Sequence, residues 1–90
     1  MTQTFRGTVR YFRAEQGSGL AVVDIPPEVA TALGGLKQMR VTVTVNGQEF
    51  HSNTMPAGGG TLSLSLSRKL LDAAGLEVGA EGSFEVKRGT

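Results

Sequence analysis

Strict alternation of apolar and polar residues most constrains how this chain can fold. The stretch VTVTV, residues 41–45, alternates valine with threonine, and LSLSL, residues 62–66, alternates leucine with serine. Since successive side chains of a strand point to opposite faces, each stretch predicts a strand with one apolar, inward face. The chain is therefore predicted to be built mainly from strands.

Three further stretches predict the rest of the sheet. Alternation from Thr4 to about Phe12 predicts the first strand, LAVVDI at residues 20–25 a short second one, and SFEVK at residues 83–87 the last. The pair Asn46-Gly47 predicts a type I′ turn, because both residues tolerate positive φ, and the chain returns through QEFHS, residues 48–52.

Two short helices are predicted between the strands. Pro27 suits the first turn of a helix, where its missing N–H would have no partner, and Gly34-Gly35 end that helix. Ser67 is the predicted N-cap of a second helix, RKLLDAA. Gly75 ends it, with Leu76 placed for the apolar contact of a Schellman-type ending.

The second half of the chain can be laid over the first at an offset of about forty residues, which places Val23 on Leu64. This predicts two pseudo-repeats, about residues 4–45 and 46–87, each of strand, strand, short helix and strand. A chance match of amphipathic patterns is the alternative. Two halves related by a pseudo-twofold axis can close a barrel, whereas one half cannot bury both sheet faces. We therefore predict a mainly β (α+β) fold for a single domain over residues 1–90: a closed or partly open six-stranded β-barrel with two short helices.

Composition excludes several classes of protein. The 90 residues include no cysteine, so a disulfide framework, a thiolate zinc site and a redox motif are impossible. The net charge of +1 by itself predicts neither nucleic-acid nor anionic-membrane binding. No apolar run approaches the roughly 18 residues of a spanning helix, and the first ten residues lack the apolar region of a signal peptide. We expect a cytoplasmic protein without membrane contact.

No set of residues predicts catalysis. The single histidine, His51, falls on a predicted surface strand, so neither a hydrolytic triad nor a multi-histidine metal site can be assembled around it. The carboxylates are scattered, and Asp24, just before Ile25-Pro26, is predicted to be a local cap or turn residue. No catalytic residue, metal or cofactor is predicted.

The glycine run after Met55 raises the question of a phosphate loop. Such a loop delivers backbone N–H groups to a helix N-terminus. Here a predicted strand from Thr61 to Ser67 intervenes and, at about 3.3 Å per residue, places the glycines roughly 20 Å from the helix start. Pro56, Gly58, Gly59 and Gly60 are therefore predicted to form a mobile loop between two strands, with a role as a lid or rim as the functional alternative.

Two basic clusters are candidate sites. Arg68 and Lys69 open the second helix, where cations oppose the helix dipole, so an anion bound at Ser67, Arg68 and Lys69 would reverse that penalty. Arg6 and Arg10, with Arg13 beyond, lie on the predicted outer face of strand one.

The strand-one cluster also has an aromatic neighbour in phase, Phe12. Arginines interleaved with an aromatic ring suit a nucleic-acid backbone or a stacked base. The alternative is the ordinary charged outer face of a barrel strand, which needs no ligand.

The order of these segments resembles the bacterial domain-of-unknown-function family DUF1905 over nearly the whole chain. The segments that carry the resemblance are FRGTV, VVDIPPEVATAL, VTVTVNGQEFHSNTMPAGGG and LSLSRKLLDAAGLEVGAEGSFEVK. The resemblance implies a six-stranded barrel with two short helices, joined in longer proteins to an OmpD-associated module, and no established activity. The family's aromatic first hairpin is reduced here to Tyr11 and Phe12, and the basic residue of its second helix is replaced by Leu71 or Asp72.

Each half also resembles the swapped-hairpin unit of AbrB-type regulators and antitoxins. The parallels are Ile25 to Val29, where a helix begins at prolines, and Leu76 to Glu81, which is similar to their LGLxxGD turn. Those regulators build a barrel from two chains. Since both halves lie in one chain here, the resemblance implies a monomer.

Two functions follow from these observations, and an enzyme is a third alternative, because small barrels can host chemistry although no residue here indicates a reaction. The first is a non-enzymatic binding or interaction module whose loops or rim contact an unidentified protein or small ligand. The second is nucleic-acid binding through the two basic clusters. Convergence of the clusters on one face would favour the second function.

Overall fold

Strands make up most of the computed structural model, which describes residues 2–12 and 20–89. In chain order the elements of these residues are β1 (Thr2–Thr8), β2 (Arg10–Tyr11), β3 (Ala21–Ile25), α1 (Pro27–Leu33), β4 (Arg40–Val45), β5 (Gln48–Pro56), β6 (Leu62–Leu66), α2 (Arg68–Ala74) and β7 (Glu81–Arg88). The prediction of a mainly β fold with two short helices is confirmed.

All the strands belong to one curled sheet. Its order is β1, β7, β4, β5, β6, β3, β2, and every neighbouring pair is antiparallel. The prediction of a closed or partly open six-stranded barrel holds only in part. The sheet is curled, but it is not a closed barrel and has seven strands in the described residues, among which the end strands β1 and β2 pair only with β7 and β3.

The additional strand arises because the chain changes pairing partner at Val9. Phe5 in β1 lies opposite Phe84 in β7, whereas β2 lies beside β3. Between them the Val9 N–H donates to the Ala80 carbonyl at 2.9 Å, and the Gly79 N–H donates to the Val9 carbonyl at 2.7 Å. The predicted strand from Thr4 to Phe12 is therefore two strands separated by a bend.

The apolar face of the curled sheet forms the core. Phe5 and Phe84 stack across the β1–β7 pair with ring centroids 5.6 Å apart. The alternation that predicted inward faces is confirmed, because the valines of β4 and the leucines of β6 are buried. Val29, Ala30 and Leu33 of α1 are buried in the same cluster, so this helix covers part of the sheet.

The predicted hairpin between β4 and β5 is confirmed, with φ of 55° at Asn46 and 79° at Gly47. Its second strand is longer than predicted, since β5 continues to Pro56, which lies opposite Leu62. The prediction that Pro56 belongs to the glycine loop is therefore wrong. The loop from β5 to β6 covers residues 57–61, where the Ala57 N–H donates to the Thr61 carbonyl at 2.8 Å.

Both helices begin and end as predicted. Helix α1 starts at Pro27 and ends at Gly34. At the start of α2 the Ser67 hydroxyl accepts a hydrogen bond from the Leu70 N–H at 3.1 Å. At its end Gly75 has a φ of 68° and the Leu76 N–H donates to the Leu71 carbonyl at 2.9 Å, as in a Schellman ending.

None of the helices in the described ranges has the length and apolar character that crossing a membrane requires.

Candidate functional site

Arg10, a predicted nucleic-acid contact, is held by Asp24. Its Nη2 and Nε donate to the two carboxylate oxygens at 2.8 and 3.1 Å. The hydroxyl of Ser63, which is fully buried, donates to Asp24 Oδ1 at 2.9 Å. These residues come from β2, β3 and β6, so one carboxylate joins three neighbouring strands.

The same contacts perturb the pKa of both charged groups. The hydrogen bonds from Arg10 lower the pKa of the Asp24 carboxyl, partial burial opposes them, and the bond from Ser63 lowers it further. The bond to Asp24 raises the pKa of the Arg10 guanidinium. The prediction that Asp24 is a local cap or turn residue is wrong, because it lies inside β3 and α1 begins without a side-chain cap.

Arg6 is paired as well, since its Nη2 lies 2.8 Å from Glu81 Oε1. Both side chains are more than half exposed, at 66% and 58%. Arg13 lies outside the described residues. Thus both arginines of strand one that the structure describes have a carboxylate beside them.

Ser67, Arg68 and Lys69 lie at the start of α2, as predicted. The Ser67 hydroxyl already caps the helix, while Arg68 and Lys69 are exposed. Ser67 and Arg68 line a groove together with Tyr11. The second basic cluster therefore lies next to β2, the strand that carries Arg10. The charge of Arg10 is offset by Asp24.

We call this hollow the end groove; it is open and has a volume of about 550 Å³. Its walls come from β2, β3, β6, α2 and the segment before β7. The apolar part consists of Tyr11, Leu20, Ala21, Leu66, Leu71, Leu76 and Val78, and the polar part of Ser67, Arg68, Asp72 and Glu77.

Two apolar side chains of the end groove are unusually exposed. Leu20 is 41% exposed and Val78 is 40% exposed. Leu36, at 51%, is the other large apolar side chain exposed in the described part of the chain, and it does not line the groove. The sequence carried no signal for this grouping, because Leu20 and Val78 are ordinary apolar residues far apart in the chain.

The glycine loop lies at a different place. Gly60 lines a smaller depression of about 360 Å³ beside Pro26 and Pro27 at the start of α1. Gly58, Gly59 and Gly60 all have positive φ, between 61° and 82°, which explains a run of three glycines. A ligand contact by this loop stays a prediction.

A polar hollow that sequence reasoning missed lies on the outer face of β4 and β5. We call it the sheet-face depression; it is lined by Arg40, Thr42, His51, Ser52, Asn53 and Gly89. The Ser52 hydroxyl donates to the Ser65 carbonyl and is already engaged. The two-residue turn at Asn46-Gly47 sets the register that places Thr42 opposite His51. The pairing of these two residues could therefore be predicted from the sequence.

Among the residues that the structure describes, no three histidine, aspartate or glutamate side chains gather in a way that could hold a metal ion.

Comparison with known proteins places the chain in a family. The family model described as "Domain of unknown function (DUF1905)" matches residues 5–86, which run from β1 to β7 and include both helices. No curated protein matches the chain.

Proposed function

The chain belongs to the DUF1905 family, and we propose that it is a non-enzymatic binding module whose end groove takes an apolar side chain of a partner protein. The observation that carries the proposal is the concentration of exposed apolar surface there. Two of the three large apolar side chains exposed in the described residues, Leu20 and Val78, line this one hollow.

Burial of these side chains supplies the driving force. Burying apolar surface contributes roughly 25 cal/mol per Å², so covering the exposed part of Leu20 and Val78 contributes about 1 kcal/mol for each. The partner's own apolar side chain adds a similar or larger amount. Charges of both signs flank the groove, at Arg68 and at Asp72 and Glu77, and these suit polar residues on either side of the apolar anchor.

The openness of the groove favours a protein partner over a small ligand. Pockets for small ligands enclose most of the ligand surface, whereas the end groove is a surface hollow between strand ends and a short helix. We also propose that the chain acts as a monomer, because both predicted pseudo-repeats, and with them both parts of the curled sheet, lie in one chain.

The perturbed groups support a role without catalysis. Strongly shifted pKa values mark many active sites, but here the shifted pair, Arg10 and Asp24, bridges strands and lies outside the end groove. Its hydrogen bonds are satisfied within the sheet.

Site-specific photo-crosslinking tests the proposal. A photoreactive phenylalanine analogue at Val78 should give a discrete adduct in cells that produce the protein, and the same analogue at Leu36 should not. The protein identified in the adduct is then purified. Its affinity should fall at least about tenfold with V78S and stay within about twofold with the matched L36S variant. Equal loss with both variants, or no binding by the purified protein, would reject the proposal.

The alternative is nucleic-acid binding through Arg6, Arg10, Arg13, Arg68 and Lys69. The carboxylates beside Arg6 and Arg10 reduce the charge available to a phosphate backbone, which favours the binding module. The alternative predicts retention on DNA or RNA that weakens steeply with salt. If the chain binds neither mixed-sequence duplexes nor single strands of nucleic acid at low salt, the nucleic-acid-binding alternative is wrong.

We also propose that the chain is an internal duplication. Strand β3 begins at residue 21 and β6 at 62, α1 at 27 and α2 at 68, and β4 at 40 and β7 at 81. Each pair is thus offset by 41 residues, and β3 with β6 and β4 with β7 lie side by side as antiparallel neighbours. A pseudo-twofold relation between two halves is consistent with both observations.

A further inference from the structure

We propose that the sheet-face depression binds a phosphate-type oxyanion through Arg40, His51 and Asn53. The depression has a volume of about 520 Å³ and opens on the outer face of β4 and β5. It shares no lining residue with the end groove, so it is a second site, independent of the partner surface proposed above.

Strand register brings the lining side chains to one face. Arg40 in β4 lies directly opposite Asn53 in β5, and Thr42 lies directly opposite His51. Residues opposed in this way have Cβ atoms about 4.5–5.5 Å apart, with side chains on the same face. Four polar side chains from two paired strands therefore surround one point on the sheet surface.

A further cation lies beside this point on the same face. Lys87 in β7 lies opposite Thr42, on the side away from His51. The next residue, Arg88, lies opposite the buried Val41, so its side chain is on the other face of the sheet. There its Nη1 is 3.0 Å from the position that a Cβ on Gly34 would occupy.

Among the described residues, no carboxylate lines the depression itself. Glu49 and Glu85 line a neighbouring hollow together with Lys87, so they offset the charge of that lysine. The ion pairs of the described residues involve Arg6 and Arg10, and neither includes Arg40. Glu49 and Glu85 lie opposite Thr44. That is two residues, or about 7 Å, along the strands from Thr42. Arg40 is exposed, and its guanidinium is available to a ligand.

The donor set suits a tetrahedral oxyanion. An arginine guanidinium offers a planar fork that donates two parallel hydrogen bonds to a phosphate. The Asn53 amide, the Thr42 hydroxyl and a ring N–H of His51 can each donate one more. A planar carboxylate has two oxygens and would leave part of this set unused, so the geometry favours a phosphate group.

Titration with inorganic phosphate tests the site. Amide and side-chain resonances of the ¹⁵N-labelled full chain are followed at constant ionic strength, with chloride as the balancing anion. We expect saturable shifts at Arg40, His51 and Asn53. Because hydrogen bonds to a charged group contribute about 1.5–3 kcal/mol, R40Q should weaken phosphate binding about tenfold or more.

The matched control is R88Q, which removes one exposed arginine opposite Val41, on the other face of the same sheet. We expect its phosphate affinity to stay within about twofold of wild type. N53D, which introduces a carboxylate at an exposed position of the depression, should abolish binding without unfolding the chain, as checked by the dispersion of the amide resonances. Methyl phosphate and dimethyl phosphate, titrated in parallel, distinguish a monoester ligand from the phosphodiester of a nucleic acid.

Two outcomes would overturn the proposal. One is the lack of saturable shifts at the depression with inorganic phosphate and both esters. The other is an equal loss of affinity in R40Q and R88Q, which would mean that phosphate responds to overall charge and to no particular site.

Discussion

Two glycines that face each other across β1 and β7 allow close packing in the core. A Cβ on Gly7 would lie 2.5 Å from Cγ2 of Val23, and a Cβ on Gly82 would lie 3.0 Å from Cδ1 of Leu76. Gly7 and Gly82 are directly opposed in the sheet. Neither position needs a left-handed backbone, so the requirement for glycine here is one of space.

We therefore expect G7A to lower the free energy of unfolding by about 1–3 kcal/mol, because the new methyl group has to displace Val23. Urea unfolding followed by circular dichroism measures the change. The neighbouring variant T8A, at an exposed position, serves as the control and should change stability by less than about 0.5 kcal/mol. A G7A variant as stable as T8A would contradict the tight contact.

Asp24 gives a prediction about pH. Since hydrogen bonds from Arg10 hold the pKa of its carboxyl below the ordinary value, its contribution to stability is complete above the unfolded-state pKa of about 3.9. The contribution is lost progressively as the pH falls from that value through the lower pKa of the folded state. Because the side chain is 49% exposed, we expect D24N to be less stable than wild type by only about 1 kcal/mol at pH 7.

Unfolding by urea at pH 7 and at pH 3 measures this difference between wild type and D24N. The difference should shrink at pH 3, because the carboxyl of the unfolded wild-type chain is then largely protonated and unfolding takes up a proton. R6Q is the matched control, because the Arg6–Glu81 pair is more exposed, and it should change stability by less than about 0.5 kcal/mol. A difference of the same size at both pH values would show that the charge of Asp24 contributes nothing.

At the scale of elements, the ends of α2 are well specified for so short a helix. The helix has seven residues, and its first turn contains no acidic residue. The cap from Ser67 is therefore its main local stabilisation at that end. We expect S67A to cost about 1 kcal/mol of stability, within the range of 0.5–2 kcal/mol measured for other caps.

Thermal or urea unfolding measures the loss in S67A. The variant S67D restores an oxygen acceptor for the Leu70 N–H and should recover most of the stability. If S67A and S67D were equally destabilised, the hydroxyl would act through something other than the cap.

The elements that local rules describe were predictable, and those that depend on a distant partner were not. Helix ends at Gly34 and Gly75 and the turn at Asn46-Gly47 follow from the residues at those positions, and the structure confirms them. The bend at Val9 depends on hydrogen bonds to Gly79 and Ala80, some 70 residues away in the chain. No local pattern in the first strand records those partners.

The candidate sites divide in the same way. Ser67 and Arg68 were predicted as a ligand site, and they do line the end groove, but its exposed apolar residues come from separate segments. Arg6 and Arg10 were predicted on the outer face of strand one, but the sequence does not show that Glu81 and Asp24, on the neighbouring strands, pair with them. A cross-strand partner is visible from sequence only where a tight turn sets the register.

At the scale of the whole molecule, the sheet order allows a test of the proposed duplication. Thr2 lies opposite Lys87, so the outer ends of β1 and β7 are side by side. A circular permutant that joins residues 90 and 1 by a short glycine-rich linker and opens at Asn46-Gly47 keeps every strand intact. In this permutant the second half of the chain precedes the first half. If the two halves are equivalent, the order of strands and helices along the chain is the same as in wild type.

We expect this permutant to fold with the same sheet and with a stability within about 2 kcal/mol of wild type, because only loop lengths change. Amide chemical shifts and urea unfolding report the fold and the stability. A second permutant opened between Val22 and Val23, inside β3, is the control and should not fold. Failure of the first permutant together with the control would contradict the equivalence of the halves.

Local sequence patterns were enough to specify which residues face inward, where the helices begin and end, and how β4 pairs with β5. These features depend on period-two alternation, on capping groups and on a two-residue turn, all of which act within about ten residues. Three further features depend on contacts between distant segments: strand one bends at Val9, Asp24 joins β2 to β6, and Arg40 and His51 lie near Lys87. The physical reason is that distant strands pair when the whole core closes. The free energy that favours this pairing comes from contacts among residues far apart in the chain, so no local pattern records it.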